Sequence, residues 1–202
     1  MERRSELNPV RDLSVMFKSI RSKMKIWLWQ RFSNSLRKYP QVFPISNGMK
    51  KVLTLCLIHT DSHILLGMKK RGFGQGKWNG FGGKIEKGET IDQAARREMF
   101  EEAGLTVGEV SPMGILHFSF PNDPVTLEVR VFRADTYEGE LKEGDEMKPQ
   151  WFPIDEIPFE SMWPDDKHWL PLFLSGKKFK GEFFFDNNNM IANHHLEVVE
   201  VL

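Results

Sequence analysis

The chain has 202 residues, the length of one domain with an appendage. Its 28 Lys/Arg balance 28 Asp/Glu, which argues against a dedicated DNA- or RNA-binding protein, because those carry a basic excess. A hydrophobic content of 40 % with 12 % aromatic supports a packed core, the lone Cys56 excludes an internal disulfide, and no run reaches the roughly 18 apolar residues of a membrane-spanning helix.

The neutrality is an average over two unlike segments. Residues 1–48 hold ten basic and three acidic side chains (net +7), and residues 49–202 carry the compensating −7. The first segment lacks the apolar stretch of a secretory signal, since Ile26–Trp29 is too short. From Val15 to Leu36 it mixes Lys/Arg, Ser and large apolar residues without an acid, which permits a basic amphipathic helix. Glu2, Glu6 and Asp12 count against an organelle presequence. A dispensable extension, an organelle-directing segment and an ordered element all fit, so the expected division is a basic extension over 1–48 and a folded domain over 49–202. Pro40, Pro44 and Ser46–Gly48 read as a linker, and Met49 stands where a second start would serve.

Val52–Ile58 and Ile64–Met68 are apolar runs bounded by turn residues and read as strands. Arg71–Gly83 holds six glycines in thirteen residues, interleaved with Phe73, Trp78 and Phe81. Flexible linkers rarely carry large aromatics, so glycine here reads as close backbone approach to a ligand. Thr90–Ala103 reads as a helix, with Thr90 and Gln93 at the spacing of a capping box and Gly104 as the C-terminal cap. Leu116–Phe120 and Thr126–Arg133 alternate as strands, a charged turn follows near Glu138–Glu146, and Gln150–Pro153 reads as a short strand. A second helix falls between Asp165 and Leu174 despite Pro171, and Phe179–Phe185 is a further strand. The fold class expected is α/β, a mixed sheet flanked by helices.

Glu98, Glu101 and Glu102 fall within one arc of about 100° on the helix, at nearly the azimuth of Ile91 and Ala95. They therefore border the buried stripe, whereas an acidic solvent face would lie opposite it. Like charges at i, i+3 and i, i+4 repel, and near a core they call for a cation. Three convergent carboxylates suit a hard divalent ion such as Mg²⁺ or Mn²⁺.

Gly83, Glu89, Arg97, Glu98, Met99, Glu101, Glu102, Gly104 and Leu105 match Gx5Ex7REUxEExGU, where U is a bulky apolar residue, at every specified position. In this the chain resembles the Nudix hydrolases, which cleave nucleoside diphosphates linked to another moiety. The resemblance implies an α/β/α sandwich, a Mg²⁺ cofactor, and Glu98, Glu101 and Glu102 as metal ligands, with Gly82 and Glu146 completing the metal site. Glu101 or Glu102 would lie closest to the nucleophilic water, Arg97 would orient the glutamates, and Glu89 would support the loop–helix junction.

Outside that motif, Leu65–Gly74, Trp78–Gly83 and Met162–Asp166 are similar to members acting on oxidised purine nucleoside triphosphates; Gln75, Lys77 and Phe100 depart from them. The likeness implies hydrolysis of 8-oxo-dGTP and 2-hydroxy-dATP to monophosphate and pyrophosphate. Asn79, Asp165 and Asp166 would read the base edge and Trp163 would stack on the base. Phe73, Phe118, Thr54 and Met147 would line the pocket, with Lys69 near the phosphates. A small-molecule nucleotide is then the partner of a monomer found in the cytoplasm, with mitochondria or nucleus as further locations. On spacing alone, Trp163–Asp166 reads as a turn with an Asp N-cap, Trp78 and Trp169 as structural aromatics, and His117 and His168 as residues without a role. Two adjacent acids suit a base edge when mutual repulsion leaves one protonated, giving a donor beside an acceptor. The competing functions are a Nudix hydrolase of another nucleotide derivative and a non-catalytic nucleotide-binding module.

Overall fold

The structure is a computed structural model that describes residues 49–202. The expectations placed on residues 1–48 lie outside the described residues.

Alternation along the first strand builds the layers. In β1 (Lys50–His59) Leu55 and Leu57 enter one hydrophobic cluster, while Cys56 and Ile58 enter another on the opposite face. The same period of two divides β2 (His63–Lys69), with Ile64 and Leu66 on the first face and Leu65 on the second. One sheet with two buried faces follows.

The remaining elements are β3 (Trp78–Asn79), α1 (Ile91–Ala103), β4 (Thr106–Val107), β5 (Val110–Ser119), β6 (Thr126–Ala134), β7 (Tyr137–Glu138), β8 (Met147–Pro153), α2 (Asp166–Leu174), β9 (Lys178–Phe185) and β10 (Ile191–Val199). Two 3₁₀ turns, Ile154–Glu156 and Phe159–Ser161, lead into α2. The large sheet runs β10-β9-β5-β6-β1-β2-β3, with β8 on the other side of β2. It is mixed, since β1–β6 and β5–β9 are parallel and the other pairs antiparallel. Helix α1 lays Ala95, Met99 and Ala103 on one face, and α2 lays Trp169, Leu170 and Phe173 on the other. This is the mixed sheet flanked by helices that the sequence pattern leads one to expect, and the α/β/α sandwich that the family resemblance implies.

The caps of α1 follow the sequence closely. Gln93 N–H donates to the Thr90 hydroxyl, Thr90 N–H donates to the Gln93 side chain at 2.9 Å, and Gly104 closes the helix in the left-handed region. The helix after Asp165 forms as expected, but Asp165 supplies no side-chain cap; its carboxylate is directed elsewhere.

One irregularity creates the site. β1 and β2 pair only at Ile58–Leu65 and His59–Ile64. Beyond that the strands part, and Phe81–Lys84 enters the gap. Thr54 N–H donates to Gly83 C=O (2.9 Å), and Cys56 and Phe81 exchange both backbone bonds. The approach requires glycine: a Cβ on Gly82 would run into the Thr54 carbonyl, and one on Gly83 into the Glu98 carboxylate.

Candidate active site

The parted strands open a cleft floored by Leu53, Leu55, Leu116 and Val129. All nine residues expected to touch substrate line it: Thr54, Lys69, Phe73, Asn79, Phe118, Met147, Trp163, Asp165 and Asp166. Gly82 and Glu102 line it as well. Its two ends differ in chemistry.

At one end the walls are aromatic. Phe73 stands 67 % exposed on the glycine turn and stacks on Trp163 with ring centroids 4.9 Å apart. Phe120 meets Phe73 edge-on and stacks on Phe185 at 5.0 Å, and Phe118 stacks on Phe183. Beneath this wall lie Asp165 and Asp166, 4 % and 2 % exposed. Asp165 Oδ2 accepts from Trp169 Nε1 (2.9 Å), and Asp166 Oδ2 accepts from the Trp163 backbone N–H (2.9 Å). Burial pushes both carboxyls above the ordinary aspartate range, and the Asp165 charge adds to the rise at Asp166. Asn79, which also lines the cleft, is anchored through Oδ1, which accepts from Gly80 N–H at 2.8 Å.

At the other end the side chains are charged, with Lys69 joining two carboxylates and Arg97 three. Lys69 Nζ lies 3.4 Å from Glu102 Oε1 and 3.1 Å from Glu146 Oε2. Arg97 Nη1 lies 3.1 Å from Glu98 Oε1 and 2.9 Å from Glu101 Oε2. The remaining Arg97 donors hold the loop, with Nε and Nη2 on Glu89 and Nη2 also on the Lys84 carbonyl. Glu89 in turn accepts from Glu86 N–H, and its bonds to Arg97 hold its carboxyl below the usual range. Arg97 thus ties the incoming loop to two of the three glutamates.

The three glutamates are not equivalent. Glu102 belongs to the buried stripe of α1 and Glu98 is half-buried, whereas the Glu101 side chain remains 55 % exposed. Burial pushes the Glu102 carboxyl up to about 7, opposed by Gly82 N–H, which donates to Oε2 at 2.9 Å, and by Lys69. Burial likewise raises Glu98.

Among the described residues no three acidic, His or Cys side chains are grouped closely enough to hold a metal as they stand. The donor set nevertheless fits a hard cation. It consists of carboxylate oxygens, two of them taken out of water on adjacent turns of one helix, where their mutual repulsion and desolvation favour a compensating positive charge.

Several contributors escaped the sequence reading. Trp169 is indeed a core aromatic, but it also lines the cleft and binds Asp165. Phe120, just past β5, and Phe185, the last residue of β9, complete the aromatic wall. His117 has a partner after all, Glu128 Oε2 at 3.1 Å, away from the cleft lining. Alternation alone could have placed Phe185 on an inner face, but no local signal ties it to Trp163.

The fold and the paired carboxylates on α1 define the class, and comparison with known proteins agrees. Residues 49–173 match the NUDIX domain, and the chain belongs to that family. Its members typically use a divalent metal. The chain is similar to the oxidized purine nucleoside triphosphate hydrolase of Danio rerio, with 55 % identity over 152 residues, 75 % of this chain and 97 % of the fish protein. The Mus musculus protein of the same name is 47 % identical, over 74 % of this chain and 96 % of its own. Among solved structures, the mutator MutT protein from Bacillus halodurans superposes with a TM-score of 0.65 at 29 % identity, covering 73 % of this chain and 97 % of that one.

Proposed function

We propose that this protein hydrolyses oxidised purine nucleoside triphosphates, 8-oxo-dGTP and 2-hydroxy-dATP among them, to the monophosphate and pyrophosphate. The observation that carries this reading is the pair of buried acids, Asp165 and Asp166, lining the same cleft as Glu102 and the aromatic side chains of Phe73, Phe118, Phe120 and Trp163. Two desolvated carboxyls call for a ligand that offers hydrogen-bond donors and acceptors side by side. A purine edge does, and it matches the pair when one carboxyl is protonated.

The pair then presents a donor beside an acceptor. Moving the proton from one carboxyl to the other exchanges the pattern, which suits both oxidised guanine and oxidised adenine. Trp163 supplies the stacking face, worth about 1–3 kcal/mol for a base by analogy with single-strand binding. Asn79 adds a further polar contact on the edge. The nearby apolar floor makes an uncompensated hydrogen-bonding group on the wrong base costly.

Towards the phosphates, Glu98, Glu101 and Glu102, with Gly82 and Glu146, would hold Mg²⁺, with Mn²⁺ as a substitute of the same hardness. The ion supplies charge neutralisation at phosphate oxygens and a polarised water. The protein's own part is positioning. Arg97 fixes the directions of Glu98 and Glu101, Gly82 N–H fixes Glu102, and Lys69 brings a positive charge to the phosphate path. Phosphoryl transfer responds chiefly to such positioning and charge stabilisation. Glu101 or Glu102 takes up or orients the proton of the attacking water. A nucleotide-binding module without catalysis would not need Arg97 to bind Glu89, Glu98 and Glu101 at once.

We further assign residues 1–48 as a basic extension outside the catalytic domain, and read the protein as a monomer acting in the cytoplasm, with mitochondria or nucleus as further destinations. Among the described residues no helix is long and apolar enough to cross a membrane.

The deciding experiment is pyrophosphate release from 8-oxo-dGTP, 2-hydroxy-dATP, dGTP and ADP-ribose, with Mg²⁺ and with EDTA. Mg²⁺-dependent turnover favouring the oxidised purines is expected. The absence of Mg²⁺-dependent release from every substrate would overturn the enzymatic reading. For the proton exchange, Asp165→Asn and Asp166→Asn should alter selectivity between the two oxidised bases as pH varies; unchanged selectivity in both variants defeats it.

A further inference from the structure

Lys77 has no assigned role, yet it occupies the junction of everything that touches the base. It ends the glycine turn that carries Phe73, and its backbone closes that turn, with Lys69 N–H donating to the Lys77 carbonyl (2.9 Å) and Lys77 N–H donating to the Gly74 carbonyl (3.0 Å). It immediately precedes β3, whose second residue is Asn79. Its side chain crosses to the opposite wall. There Nζ donates to the Met162 carbonyl at 3.1 Å and sits 5.3 Å from the centroid of the Trp163 ring.

We propose that Lys77 is a positioning residue for base selectivity, whose ammonium pins the Met162–Trp163 segment to the glycine turn and so sets the aromatic face against the Asp165–Asp166 edge. The inference rests on the functional reading above and names the residue that tunes it.

Two physical consequences follow from one charge. Trp163 is reached through extended backbone at Met162, and its own backbone N–H is committed to Asp166. Holding the Met162 carbonyl on one side and Asp166 on the other leaves the indole little freedom to tilt. A cation over an indole adds attraction that grows as the cleft is desolvated by a bound base.

The second consequence is electrostatic. The charge of Lys77 opposes the burial that raises both Asp165 and Asp166. The groups that bear on the pair are Lys77 from the turn, Trp169 from α2 and the two acids themselves, with Lys69 and Glu102 further along the cleft. Among the described residues, Lys77 is the one whose side chain both donates to the Met162 carbonyl and sits over the Trp163 ring. Arginine would keep the charge and present a planar donor to the same carbonyl; methionine would keep the length and lose the charge.

The test compares the full chain with Lys77→Met and Lys77→Arg. Kinetics on 8-oxo-dGTP and 2-hydroxy-dATP from pH 6 to 9 are paired with calorimetric binding of 8-oxo-dGMP. In Lys77→Met we expect KM to rise roughly 3- to 30-fold, the span of an exposed to a desolvated cation–π contact. The kcat should stay within about two-fold, because the groups at the phosphate end are untouched. Loss of the positive charge lets the acids hold protons to higher pH, so the alkaline limb of 1/KM should move upward. Lys77→Arg should restore both KM and the limb.

An unchanged KM, monophosphate affinity and pH profile in Lys77→Met overturns the proposal. So does a parallel fall of kcat and melting temperature that Lys77→Arg fails to reverse, since that is the behaviour of a purely structural contact. The wild-type arm judges the functional reading separately: equal kcat/KM for 8-oxo-dGTP and dGTP would remove that reading, whatever the variants do.

Discussion

Trp169 Nε1 donates to Asp165 Oδ2 at 2.9 Å, both groups lying out of contact with water. The bond links a core residue of α2 to the floor of the cleft. It also favours the charged form of Asp165 against the burial that raises its carboxyl. Trp169→Phe preserves most of the packing and removes the donor. Leaving a buried acceptor unpaired costs about 1–3 kcal/mol, which should appear as a lower midpoint in urea with an unchanged slope. The pH profile of base recognition should move upward at the same time, because Asp165 loses a bond to its ionised form. A stability loss without any pH shift would show that the indole acts on packing alone.

Asp166 makes stability depend on pH in an uncommon direction. Its carboxyl is raised well above 3.8 by burial and by the Asp165 charge. Between the unfolded and native values the folded state holds more protons than the unfolded chain, so this group's contribution falls as pH rises. It is most favourable below about pH 4 and is lost as pH climbs through the raised native value. Asp166→Asn keeps an oxygen to accept the Trp163 N–H and removes the titration. Melting curves should therefore show the variant gaining on the wild type between pH 5 and pH 8. A difference that stays flat across that interval contradicts the buried charge. Selectivity for oxidised bases should suffer even as stability improves, the trade-off expected at a site built for function.

Arg97 answers to three carboxylates and a carbonyl, and the expected result of removing it is kinetic. Arg97→Gln leaves the base end intact, so KM should change little. The glutamates lose their fixed directions, and misplacement of about 1 Å in a catalytic group can cost about 10²-fold in rate. Arg97→Lys should recover only part of kcat, since an ammonium cannot span Glu89, Glu98 and Glu101 in one plane. If Arg97→Lys matched the wild type, the planar fork would be irrelevant.

What the sequence revealed and what it hid divide along the range of the interactions. The caps of α1, the apolar run of β1 and the bounds of α2 depend on neighbours within about four residues, and each can be read from the chain. The placement of Glu102 inside the buried stripe also follows from helical periodicity. By contrast, β3, β4 and β7 are two-residue pairings that exist only because a partner lies opposite, and β10 carries Asn193, His194 and His195 where an inner strand would be apolar. The parting of β1 from β2 is invisible locally, although the glycines at 82 and 83 mark where another backbone comes close. Trp169 reads from the sequence as a structural aromatic; its bond to Asp165, only four positions away, depends on side-chain directions that spacing does not give. Lys77 stands out in the sequence only as a departure from related members, because its partners lie 85 and 86 positions away.

The charge division between residues 1–48 and the rest leads to the last expectation. Among the described residues, those lining the cleft and those in both clusters of the core begin at position 53. A protein begun at Met49 should keep kcat/KM for 8-oxo-dGTP within about two-fold of the full chain, as expected when Lys69, Gly82, Arg97 and the glutamates they position are all retained. What should change is behaviour governed by long-range charge. Deleting a +7 segment leaves a −7 domain that repels polyanions, so any affinity of the full chain for anionic vesicles should disappear, and should fall with salt before deletion. Localisation of tagged full-length and Met49-start proteins by cell fractionation reads the same difference in place. Turnover that collapses on deletion would instead put part of the site within the first 48 residues.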